Sequence, residues 1–80
     1  MIRCLAIDDE PLALKQLSSY IEKVPYLQLV AALPSATEAQ AIIQQEQIDV
    51  IFIDINMPDL NGMEFVRSLV LPPMIVLLPR

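Results

Sequence analysis

The sequence predicts an α/β fold built on an open parallel sheet. Three observations carry that expectation. Short apolar runs alternate with helix-spaced amphipathic segments, Pro, Asn and Gly mark the boundaries, and acidic clusters close the first and third apolar runs but not the second. With 80 residues the chain makes one domain at most, and it buries a limited share of its surface.

Ile2 to Ile7 reads as a strand with little alternation, as expected when both faces are covered. Pro11 suits the first turn of a helix. Leu14, Leu17, Ile21 and Val24 follow at spacings of three and four and form one apolar stripe, which Pro25 ends. Leu27 to Leu33 is the second strand, closed by Pro34. Ser35 and Glu38 stand at capping-box spacing before a helix whose apolar face is Ala36, Ala39, Ile42 and Ile43, finished by the polar run Gln44 to Gln47. Val50 to Ile53 is the third strand. Asn61 and Gly62 lead into a short helix carrying Met63, Phe65, Val66 and Leu69, which Pro72-Pro73 breaks; Met74 to Leu78 is the fourth strand. The pattern is βαβαβαβ over residues 1–80, and right-handed crossovers then place helices on both faces of the sheet.

Composition excludes several classes. Ten Asp or Glu face five Lys or Arg, so the chain lacks the basic stripe of a direct nucleic-acid interface. The apolar fraction is 55% and the aromatic fraction 5%, which makes the core aliphatic. Cys4 lies inside the first strand as a small buried hydrophobe, and a single cysteine forms no internal disulfide. No apolar stretch approaches the ~20 residues needed to span a bilayer, and no signal peptide is legible before Asp8; the expected location is cytoplasmic.

The chemistry lies at the strand ends. Asp8, Asp9 and Asp54 emerge from the C-terminal ends of two parallel strands expected to be neighbours. Carboxylates gathered this way repel one another and suit a hard divalent cation such as Mg²⁺, which takes one or two carboxylates and keeps several waters. A further carboxylate can accept a phosphoryl group as an acyl phosphate. The plainer alternative is that Asp8, Asp9 and Glu10 cap the first helix, whose N-terminus favours negative charge, and that Asp54 is a solvated turn acid. Acidic endings on two strands and not on the other are hard to explain by capping.

Ile7-Asp8-Asp9-Glu10-Pro11 together with Asp54-Ile55-Asn56-Met57-Pro58-Asp59-Leu60-Asn61-Gly62 resembles the receiver domain of two-component response regulators, and is most similar to receivers of the LytTR subfamily, whose output domain binds DNA. The resemblance runs from Met1 to about Val76. It implies a flavodoxin-like sheet of order 2-1-3-4, incomplete here, with the chain as the N-terminal two-thirds of a receiver. It further implies that Asp54 is the phosphoacceptor for a histidine kinase. Asp9 would bind Mg²⁺ directly, Asp8 would bind or orient it through water, and the main-chain carbonyl of Asn56 would be a further ligand. Glu10 is expected to act as a nearby charge rather than a ligand, and Met57 and Pro58 to shape the turn. Gly62 fits a position of positive φ or close backbone approach.

The chain also departs from that family. The Ser or Thr that closes a receiver's fourth strand falls near Pro79, which has neither hydroxyl nor N–H. The Lys and the aromatic switch residue of the fifth strand have no counterpart, and Lys15 and Lys23 lie on the first helix. The leading expectation is therefore a signalling domain rather than a turnover enzyme, impaired at its phosphate site. The alternative is a phosphorylation-independent module that self-associates through the fourth strand or uncovered apolar faces. A phosphatase of the haloacid dehalogenase type is disfavoured, because Asp54-Ile55-Asn56 follows the third strand and lacks the second Asp.

Overall fold

The computed structural model describes residues 1–56, 64, 66, 69 and 71–79. Its elements run β1 (Ile2–Ile7), α1 (Pro11–Glu22), β2 (Leu27–Leu33), α2 (Ala36–Gln45), β3 (Val50–Asp54) and β4 (Met74–Leu78). The four strands form one parallel sheet, as the alternation of elements predicts, in the order β2-β1-β3-β4 that the resemblance implies.

Side chains of β1 go alternately to two cores. Leu5 and Ile7 join Ile51, Ile53, Ala36, Ala39 and Val66 on the α2 side. Cys4 and Ala6 join Ile21, Leu14 and Leu17 on the α1 side. Leu5, Ile7, Ile51, Ile53 and Val66 are almost wholly buried, and each contributes roughly 1.5–3 kcal/mol by leaving water. Both faces of β1 are thus filled, which explains its unbroken apolar run.

Two details differ from the periodic reading. Helix α1 ends at Glu22, before Val24, because a residue preceding proline is pushed out of the α region. The Lys23 N–H instead donates to Ser19 O and Tyr20 O at 3.2 and 3.3 Å. In β2 the register with β1 slips between Cys4↔Leu29 and Leu5↔Ala31, which leaves Val30 as an extra residue. Val30 and Ala31 consequently both face the α2-side core, against strict alternation. Of the short helix expected after Gly62, Glu64, Val66 and Leu69 are described. Val66 is 1% exposed, and its carbonyl accepts from the Leu69 N–H at 3.2 Å. The remainder of that helix lies outside the described residues.

The Ser35 hydroxyl caps α2, accepting from the Glu38 N–H at 3.5 Å and donating to the Glu38 carboxylate at 3.4 Å. The Cys4 thiol is fully buried. Burial pushes its pKa up, the Asp49 carboxylate adds to this, and a hydrogen bond with the Gln28 backbone opposes it. It is a packing residue, as expected, rather than a reactive thiol.

The edge of the sheet away from the acidic residues is tied together by Asp49. Its Oδ2 accepts from the Arg3 N–H at 2.8 Å, its N–H donates to Arg3 O at 2.8 Å, and its carbonyl accepts from the Met74 N–H at 2.9 Å. One residue therefore joins the starts of β1, β3 and β4. The Arg3 guanidinium adds bonds to Gln47 O at 2.8 Å and to Glu46 at 2.6 Å, but this ion pair is half exposed and contributes at most about 1 kcal/mol. Asp49→Ala is expected to lower unfolding free energy by about 1–2 kcal/mol in urea titration, through loss of a charge-assisted bond. A change under about 0.5 kcal/mol, the range of ordinary surface substitutions, would show that the bond does not hold the strand starts.

Candidate functional site

The β1–β3 register determines where the acids go. Ile7 pairs with Ile53, so the residues that follow, Asp8 and Asp54, leave the same edge of the sheet side by side. The ladder continues past them on both flanks. The Asp8 N–H donates to Leu33 O, and the Ile55 N–H donates to Leu78 O, each at 3.1 Å. The two aspartates are thus rooted in the sheet and not in a loose turn, and they are 7% and 2% exposed.

Both use the same local device. Asp8 Oδ1 accepts from the Glu10 N–H at 2.9 Å, and Asp54 Oδ1 accepts from the Asn56 N–H at 3.0 Å. Each side chain folds back on the amide two residues ahead, an Asx turn that orients its carboxylate. Asp9 remains exposed. One carboxylate oxygen from each of Asp8, Asp9 and Asp54 can be chosen so that all lie within 4.8 Å of one another. Three anionic oxygens so placed, two of them on buried side chains, suit a hard divalent cation with water completing its shell.

Glu10 takes a different part. It is the N-cap of α1, with extended backbone at φ −98° and ψ 118°, and its Oε2 accepts from the Ala13 N–H at 2.8 Å. Capping therefore accounts for Glu10 among the acids of this cluster, while Asp8 and Asp9 contribute oxygens to the cluster with Asp54. Asn56 is exposed and sits two residues beyond Asp54, with its N–H committed to that carboxylate. Met57, Pro58 and Gly62 lie outside the described residues.

The acids open into a cleft of about 380 Å³ lined by Asp8, Asp54, Leu78, Pro79 and, from α1, Ala13, Gln16, Leu17 and Tyr20. Sequence reading missed the α1 wall, although the Ala13, Leu17 and Tyr20 spacing marks one helix face. Leu78 stands opposite Asp54 in the β3–β4 ladder and Pro79 follows it, so this rim offers no side-chain hydroxyl. Neither Lys15 of α1 nor Lys23, which follows it, lines the cleft; the Lys23 ammonium lies 5.8 Å from the Tyr20 ring centroid.

Carboxylates held this close repel one another while they are ionised. Asp54→Asn keeps an oxygen for the Asn56 N–H and removes one charge. In metal-free buffer it is expected to raise the thermal midpoint by a few degrees, and to remove any stabilisation by added Mg²⁺. An unchanged midpoint in scanning calorimetry would contradict this account of the charges.

A family model described as the response regulator receiver domain matches residues 4–77. The chain is 35% identical over 98% of its length to protein-glutamate methylesterase/protein-glutamine glutaminase of Agrobacterium fabrum, and 35% identical over 86% of its length to the transcriptional regulatory protein BtsR of Escherichia coli. It spans 22% and 29% of those two proteins, so their whole-protein activities are not carried across by the match. Among solved structures, the response regulatory domain of MrkE from Klebsiella pneumoniae superposes with a TM-score of 0.82 at 25% identity, over 96% of this chain and 66% of that one. The response regulator RcsB, solved with DNA, shares the fold with a TM-score of 0.84 at 15% identity, over 98% of this chain and 42% of that one. No helix among the described residues is long and apolar enough to cross a membrane. Acidic cluster, sheet order and family match converge: the chain belongs to the response regulator receiver domain family, a signalling module.

Proposed function

We propose that the chain is the phosphoacceptor part of a two-component response regulator and that Asp54 takes a phosphoryl group from a histidine kinase. The observation that carries this reading is the convergence of Asp8, Asp9 and Asp54 within 4.8 Å at the C-terminal edge of the sheet. Asp8, Asp9, Asp54 and the main-chain carbonyl of Asn56 would hold Mg²⁺, which would neutralise charge on the phosphoryl oxygens. Asp54 is anchored through Oδ1 and the strand ladder, so its carboxylate is positioned before a donor arrives. A carboxylate oxygen of Asp54 forms the new bond to phosphorus as the P–N bond of the donor phosphoimidazole breaks, and the electron pair leaves with the imidazole nitrogen. Pro79 at the rim supplies no hydroxyl to the phosphoryl group, so transfer is slow relative to receivers that carry one. The match covers 66% of the MrkE domain. The DDEP and INMPDLNG motifs favour a LytTR-type parent, with which similarity to a transcriptional regulator agrees.

Intact mass after incubation with acetyl phosphate tests this. A single phosphoryl adduct that requires Mg²⁺ and disappears in Asp54→Ala is the expected result. No adduct, with Mg²⁺ still bound, would overturn the phosphoacceptor reading.

A second reading, an interaction module that works without phosphorylation, is favoured by one specific observation. Helix α1 packs on β1 and β2 and its core reaches Val50 and Phe52 of β3, but Met74 and Val76 of β4 belong to neither described core. The two sheet edges also differ: β2 carries the Val30 bulge, whereas β4 is regular from Met74 to Leu78 and exposes Met74 and Leu77. A regular apolar edge invites strand pairing. Sedimentation should show reversible self-association that Leu77→Lys weakens; a dispersed monomer at high concentration would count against it.

A further inference from the structure

We propose that Glu10 is a positioning residue for the metal site, acting through the helix cap and not through its charge. This rests on the metal-site reading of Asp8, Asp9 and Asp54 given above. Three hydrogen-bonding groups of Glu10 join that site to α1. Its N–H donates to Asp8 Oδ1 at 2.9 Å, its Oε2 accepts from the Ala13 N–H at 2.8 Å, and its carbonyl accepts from the Leu14 N–H at 3.0 Å. One residue thus orients a buried carboxylate upstream and starts a helix downstream.

The cap gives this junction its rigidity. Pro11 at the first helical position restricts Glu10 to the extended backbone observed, but leaves the pitch of the β1–α1 turn relative to the helix undefined. The Ala13 bond adds that definition, because it ties the Glu10 side chain to the third helical residue. Asp8 and Asp9 lie between two anchors, the β1–β2 ladder at Asp8 N–H to Leu33 O and the cap at Glu10. With the cap removed, residue 10, whose amide orients Asp8, keeps only its backbone bond to Leu14, and the approach of Asp8 and Asp9 to Asp54 loosens. Loss of residues that orient metal ligands typically lowers metal affinity tenfold or more.

Charge and cap can be separated by substitution. Glu10→Asn removes the charge and keeps a strong N-cap; Glu10→Ala removes both. Ser35→Ala, which removes the cap of α2 on the other face of the sheet, controls for general destabilisation. Mg²⁺ affinity is measured by calorimetric titration, with hydrogen exchange of the Ala13 amide reporting the cap. The expected result is an affinity about tenfold weaker in Glu10→Ala with fast Ala13 exchange, and affinity within about twofold of the parent in Glu10→Asn and Ser35→Ala. Equal weakening in Glu10→Asn and Glu10→Ala would overturn the proposal in favour of a charge role. Parent-like affinity in Glu10→Ala would overturn it by leaving the cap a purely structural role. Failure of the unsubstituted chain to bind Mg²⁺ would instead overturn the metal-site reading itself, and if Glu10→Ala does not fold, the Asn variant alone still decides between charge and cap.

Discussion

The parallel pairing of β1 with β3 is the contact on which the rest depends. It aligns Ile7 with Ile53 and so brings Asp8 beside Asp54. The same register places Leu5 and Ile7 with Ile51 and Ile53 in one core, while Cys4 and Ala6 fill the other. A shift of one residue would exchange the two faces and carry the carboxylates apart, since side chains alternate along a strand. Core formation and site formation are consequently one event, and the burial that holds the strands also holds the acids.

That arrangement opposes itself electrostatically. Asp8 and Asp54 are both buried, and both are anionic in the form that binds a cation. The structure sustains this by giving each Oδ1 a backbone N–H two residues on, and by running ladder hydrogen bonds past each residue. Buried charge of one sign in a prearranged geometry is a feature of binding sites more than of stable cores. The site sits at the C-terminal edge of the parallel strands, where α/β folds place their ligands, and the Asp49 clamp secures the opposite edge without any such tension.

The two halves of the sheet are not equally finished. β1 and β2 carry a helix on each face, and the β2 edge is interrupted by the Val30 bulge. The β3–β4 half has Val66 and partly buried Leu69 on the α2 side, while on the other side the α1-side core reaches Phe52 but not Val76. The cleft beside the acids is the seam between these halves, with α1 as one wall and Leu78 and Pro79 as the other. A site at such a seam feels both the helix start at Glu10 and the end of β4.

The sequence by itself determined the four strands and the helices α1 and α2 to within a residue or two, the α/β class, and the acids Asp8, Asp9 and Asp54 as the chemically interesting residues. It could do so because strand runs, helical stripes and proline boundaries are local signals, read from neighbours along the chain. Only the tertiary structure decided what depends on distance in space. It made Glu10 the cap of the helix, where the resemblance had implied only a nearby charge, and it brought Asp8 and Asp9 together with Asp54. It placed the bulge at Val30 and turned the Ala13, Leu17 and Tyr20 face into the wall of a cleft. Each of these follows from register and packing between elements, and sequence periodicity carries no record of either.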